Sequence, residues 1–188
     1  MPFLHDLRDL ASWLLESATP AVEASCAAIA RRLVERDLRT VGLAPADDDV
    51  AVPPVALQLA RALALTSGGR IGVVDAAGTW TGPSAGGIGG VTTRWLLDDL
   101  AVLSPPPVRS GGAVAQLREI AGKEGAAFDR LIVDLTGLEH AGEQLEACAA
   151  LDGTAIVARR GRTRARALRR WAELSPPGAL GVLLTGVP

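Results

Sequence analysis

Apolar positions recur along the chain first at helical spacing and then in short strand-sized runs. Within residues 3–16, Phe3, Leu7, Leu10, Ala11 and Leu14 share one helical stripe with Trp13 beside it, which predicts a first helix. Thr19 and Pro20 open a second helix as N-cap and first helical residue, and it is expected to run to about Asp37. A strand over residues 40–44 leads into an acidic, proline-flanked loop at 45–53. Pro54 then starts a helix over 55–65, which Gly68-Gly69 ends. Residues 70–75 form a continuous apolar run, the pattern of a strand buried on both faces. The glycine-rich stretch 78–90 reads as a long loop.

Past that loop, the pattern predicts a short helix at 92–98 and a strand at 100–103. A loop at 105–112, a helix at 113–122 and a buried strand at 130–134 follow. Then come a helix at about 141–150, a strand at 154–158, a helix at 164–174 stopped by Ser175-Pro176-Pro177, and a last strand at 179–184. Strands that alternate with helices imply right-handed crossovers and an α/β fold, a mostly parallel sheet with helices on both faces. The expected organisation is an α/β domain over 39–188 with the helices of 1–38 packed on it. No internal repeat is visible.

Composition narrows the function classes. The chain has 188 residues, 48% of them hydrophobic, enough for one good core with disorder confined to short loops. The longest apolar runs, 71–74 and 131–133, are far too short to span a membrane. Asp6 and Asp9 interrupt the region where a signal peptide needs an apolar run, so a cytoplasmic protein is expected. A net charge of −2 gives no global pull toward nucleic acid. Cys26 and Cys148 sit in alanine-rich helical patterns and read as small core residues, with a redox or metal role as the alternative. His5 and His140 have no partner at ligand spacing, so no metal site is expected. Lys123 is the single lysine, and tyrosine is absent.

Ligands of parallel α/β sheets bind beyond the carboxyl ends of the strands. Asp75 and Asp134 each end an apolar strand there, and two such acids on neighbouring strands suit a magnesium-nucleotide site. Capping or solvated loop residues are the plainer alternative. Five segments in order then carry a resemblance: 58–64, 69–75, 100–103, 128–134, and 161–163 with 181–184. Through them the chain, over roughly residues 23–188, resembles the ParA/MinD-type ATPases of the P-loop superfamily, above all the bacterial tyrosine kinases of capsule and exopolysaccharide synthesis.

That resemblance places a phosphate loop at about 45–54. A working loop needs glycines whose N–H groups wrap phosphates, a Lys for their charge and a Ser or Thr for magnesium. Here the Lys position falls on Val52 and the Ser/Thr pair on Pro53-Pro54, glycine is absent, and proline has no N–H to offer. Asp47, Asp48 and Asp49 put carboxylates where phosphates would lie, unless they simply form a solvated loop. Each like-charge contact at about 4 Å costs on the order of a few kcal/mol near a protein surface. The second Asp expected after Asp75 is Ala77, and the Asn expected near the end of the last strand is Thr185. The kinases' Glu-x-x-Arg-x-x-Arg helix keeps Glu23 but has Cys26 and Ile29 in place of the arginines.

The resemblance therefore implies a pseudo-ATPase without cofactor. It would act through protein partners, such as a membrane-bound exopolysaccharide or capsule synthesis or export complex, or through a homodimer. A ParA-like positioning protein of a pilus or flagellar system is one alternative. A residual nucleotidase using Asp75 and Asp134 with a cation supplied by a partner is another. The densest charge run, Arg159, Arg160, Arg162, Arg164, Arg166, Arg169 and Arg170, suits an acidic partner, anionic headgroups or a polyanion, or else a solvated helix face. Without interleaved aromatics it does not read as a nucleic-acid surface. Residues 86–90 look like a flexible loop rather than a dinucleotide fingerprint. The first helix is expected to pack on its own domain, or else to dock a partner.

Overall fold

The computed structural model describes residues 7–78, 90–106, 112–123, 127–138, 141–174 and 178–186. The glycine-rich residues 79–89, the stop at 175–177, Phe3, His5 and His140 lie outside them. The chain begins with α1 (Leu7–Glu16) and α2 (Pro20–Glu35). Thr19 caps α2 by accepting the Val22 N–H at 3.4 Å, with Pro20 next in line, as the sequence predicts. Then come β1 (Thr40–Pro45), α3 (Pro53–Ser67), β2 (Ile71–Asp75), β3 (Thr92–Leu97) and β4 (Leu100–Ser104). The chain continues with α4 (Ala113–Lys123), β5 (Arg130–Asp134), α5 (Ala141–Ala149), β6 (Gly153–Arg159), α6 (Ala165–Leu174) and β7 (Ala179–Thr185).

The strands form one sheet in the order β3-β4-β2-β5-β1-β6-β7, parallel except for β3. Period-two alternation sends successive side chains to opposite faces, and each face carries its own core. On one face Leu43, Val73 and Ile132 meet Leu57 and Leu63 of α3, with Leu14 of α1 in the same cluster. On the other, Val74, Leu131 and Val133 meet Leu117 of α4, Cys148 of α5 and Trp171 of α6. Burial pushes both thiols, Cys26 and Cys148, up and away from the reactive thiolate.

Polar contacts tie the strand starts together. The Asp152 carboxylate accepts the N–H groups of Arg39 at 2.9 Å and Thr40 at 2.8 Å, joining β6 to β1. Asp129 accepts the Arg70 N–H at 2.7 Å, joining β5 to β2. Gln58 of α3 reaches α1, donating to the Leu14 carbonyl at 3.2 Å and to the Ser17 hydroxyl at 2.9 Å. No described helix is long and apolar enough to cross a membrane.

One expected element is of the wrong type. Residues 92–98, read as a short helix, are the edge strand β3, antiparallel to β4 with Thr93 opposite Leu103 and Trp95 opposite Ala101. Only Asp98 and Asp99 separate the two strands, which makes the pair a tight hairpin. The apolar trio Trp95-Leu96-Leu97 mimics a helical stripe, but a chain reversal two residues later leaves room only for a strand. The loop expected at 45–53 is also shorter, because Pro45 still belongs to β1 and Pro53 already belongs to α3.

Candidate functional site

β1 lies in the middle of the sheet between β5 and β6, so the β1–α3 loop sits over the carboxyl ends of the central strands. Its apolar residues fold it down. The Ala46 N–H donates to the Val157 carbonyl at 2.8 Å and the Val50 N–H to the Asp47 carbonyl at 3.2 Å, while Val50 and Val52 are buried. Val52, 0% exposed, is the N-cap of α3 and makes no side-chain cap, with prolines at the next two positions. A helix N-terminus binds anions through its unpaired N–H groups, and two of those at the start of α3 are proline nitrogens with nothing to donate. The loop holds no glycine, lysine, serine or threonine, the residue types on which a phosphate loop relies.

Asp75 and Asp134 are brought together: the two residues stand opposite each other on β2 and β5, both 0% exposed. One Asp134 oxygen accepts the Thr136 N–H at 2.8 Å. Thr185 donates its hydroxyl to the Ala158 carbonyl at 3.2 Å, fastening β7 to β6. Among the described residues no group of three or more His, Cys, Asp or Glu is placed to hold a metal ion.

A cavity of about 1020 Å³ opens beside the loop. Asp47, Asp48 and Asp49 form one wall, with Thr136, Gly137, Leu138 and Gln144 at the end of β5 and on α5. The rest of the lining comes from the β6–α6 turn and α6: Arg162, Arg164, Arg166 and Arg170, with Ala167, Trp171 and Leu174. The turn is set by Gly161 at φ 70° and by the Thr163 hydroxyl, which accepts the Arg159 N–H at 2.9 Å. The arginine run is thereby split. Four of its members line the cavity, whereas Arg159, Arg160 and Arg169 do not. Among the described residues no ion pair joins the two walls; Arg61–Glu23 and Arg130–Asp37, both at 3.5 Å, lie elsewhere.

Asp75, Asp134, Val52, Pro53 and Thr185 are not part of the lining, while Thr136, Gln144, Trp171 and Leu174 are lining residues that sequence reasoning missed. The signal for part of that set was present. Ala167, Arg170, Trp171 and Leu174 recur at helical spacing and mark a single face of α6.

No protein-family model matches the chain, and no curated protein matches it by sequence. Solved structures do resemble it. The BceF tyrosine kinase domain superposes with a TM-score of 0.69 at 15% identity, covering 89% of this chain and 76% of that one. The kinase domain of the Escherichia coli tyrosine kinase ETK gives 0.68 at 16% identity, covering 89% and 74%. A ParA family ATPase from Chlorobium tepidum TLS gives 0.54 at 15% identity, covering 78% and 73%. The chain has the α/β fold of the P-loop NTPases that these kinase domains and ParA ATPases share, as the sequence resemblance leads one to expect.

Proposed function

We propose that this chain is a catalytically silent relative of those kinase and ATPase domains, which acts by binding other proteins in a bacterial capsule or exopolysaccharide system. The observation that carries the reading is the β1–α3 loop, where three aspartates, a buried valine and two prolines occupy the span a phosphate loop would take. Phosphoryl transfer depends almost entirely on positioning the triphosphate and offsetting its charge. A wall of carboxylates works against both, and the residues that would replace the missing Lys are absent from the loop. The chain also has no tyrosine on which to act as its own substrate. The polysaccharide setting comes from the resemblance to the kinases of that pathway.

The test is turnover. Purified protein with Mg-ATP is expected to release phosphate no faster than buffer, and Asp75→Asn and Asp134→Asn should change nothing. Steady hydrolysis by the isolated chain would end this reading. The paired carboxylates on β2 and β5 favour one second reading, a nucleotidase completed by a partner's Lys or Arg. Its signature is hydrolysis that starts when the partner is added and disappears in Asp134→Ala.

A further inference from the structure

We propose that Asp47, Asp48 and Asp49 serve as built-in counter-ions to an anion-binding wall made by Arg162, Arg164, Arg166 and Arg170. Phosphate-bearing ligands are kept out of the cavity by the chain's own carboxylates. The inference rests on the catalytically silent reading and names the device that enforces it.

Four arginines line a single cavity, and among the described residues none of them is paired with a carboxylate at contact distance. Arg166 and Arg170 stand one helical turn apart on α6, and Arg162 and Arg164 lie in the turn just before that helix. This fork-shaped donor set, spread around one concavity, is the chemistry that recognises phosphate oxygens. Three aspartates line the same cavity and reduce its formal lining charge from four positive groups to an excess of one. A bound phosphate would have to sit between the walls and would meet the aspartates as well as the arginines. The cavity is open and lined largely by charged and polar side chains, with charge balance as its barrier to anions.

The experiment is calorimetry with inorganic pyrophosphate at low ionic strength. Four proteins are compared: the unaltered chain, Asp48→Asn/Asp49→Asn, Asp47→Asn/Asp48→Asn/Asp49→Asn, and the triple variant carrying Arg166→Ala/Arg170→Ala. Asp48 and Asp49 are exposed, so the double variant keeps its fold and the test stands even where the partly buried Asp47 does not tolerate change. The unaltered chain is expected to give no saturable heat. Affinity should rise about tenfold for each carboxylate neutralised, less at high salt, and the arginine substitutions should remove the gain. Folded variants that bind no better than the unaltered chain would overturn the counter-ion proposal and leave catalytic silence intact. Tight pyrophosphate binding by the unaltered chain would instead undo the reading on which it rests.

Discussion

Replacing Trp171 with alanine is expected to destabilise the protein by about 3–4 kcal/mol. The side chain is 7% exposed and belongs to the core that β5 and β6 share with α4 and α5, yet it also forms part of the arginine wall. Removing it withdraws an indole from a packed site and leaves a void that the backbone of a single helix cannot close. Trp171 is the one buried residue of the arginine-rich α6, with the partly buried Leu168 packed on the same core, so the indole is the helix's main anchor to the sheet. Urea denaturation followed by far-ultraviolet circular dichroism measures the change. A loss under about 1 kcal/mol, the scale of a surface substitution, would mean that α6 is held by something other than this anchor. Because Arg166 and Arg170 ride on α6, the same variant should also blur any anion selectivity of the cavity.

The second large effect is steric. Gly72 is the second residue of β2, and a Cβ built there would stand 2.7 Å from Leu103 Cδ1, 2.7 Å from Leu131 Cδ2 and 3.3 Å from Phe128 Cγ. Leucine ends can rotate away where there is space, but Leu103 and Leu131 are buried on neighbouring strands and Phe128 is packed beneath them. Gly72→Val therefore costs about 3 kcal/mol through overpacking. Gly122, at an exposed position of α4 with nothing within 4 Å of a built Cβ, is the control: Gly122→Ala is expected to stabilise by about 0.5–1 kcal/mol. Equal effects at the two sites would show that strand β2 is not packed as described.

The central strands were the most legible part of the sequence. Leu131-Ile132-Val133 and Ile71–Asp75 are continuous apolar runs because parallel strands covered by helices hide both faces, and the two do lie side by side. Their terminal aspartates were legible as neighbours for the same reason. β3 was not legible: an edge strand has one free side, its burial alternates only loosely, and three consecutive apolar residues fit a helix equally well. Period alone could not decide it, whereas the two-residue connection to β4 could.

The arginines were visible as a run, but their partition was not. Whether Arg162 or Arg160 faces the cavity depends on a left-handed turn at Gly161 and on the rotational phase of α6, and neither is fixed by charge pattern. The acidic loop shows the reverse. Its chemistry was plain from Asp47-Asp48-Asp49 and Pro53-Pro54, while its relation to the arginines needed the crossover from β6 to α6 to bring the two walls to one cavity. Sequence order separates those walls by more than a hundred residues, and only the sheet order β5-β1-β6 places them together.

The most direct measurement is titration of the purified chain with Mg-ATP by calorimetry. Micromolar affinity corresponds to about −8 kcal/mol, and a few carboxylate–phosphate contacts at about 1–4 kcal/mol each, added to the missing lysine, remove that much. No saturable heat into the millimolar range is the expected result. Magnesium-dependent binding with a micromolar Kd would contradict the account, because it would mean that a loop of aspartates and prolines holds a triphosphate after all.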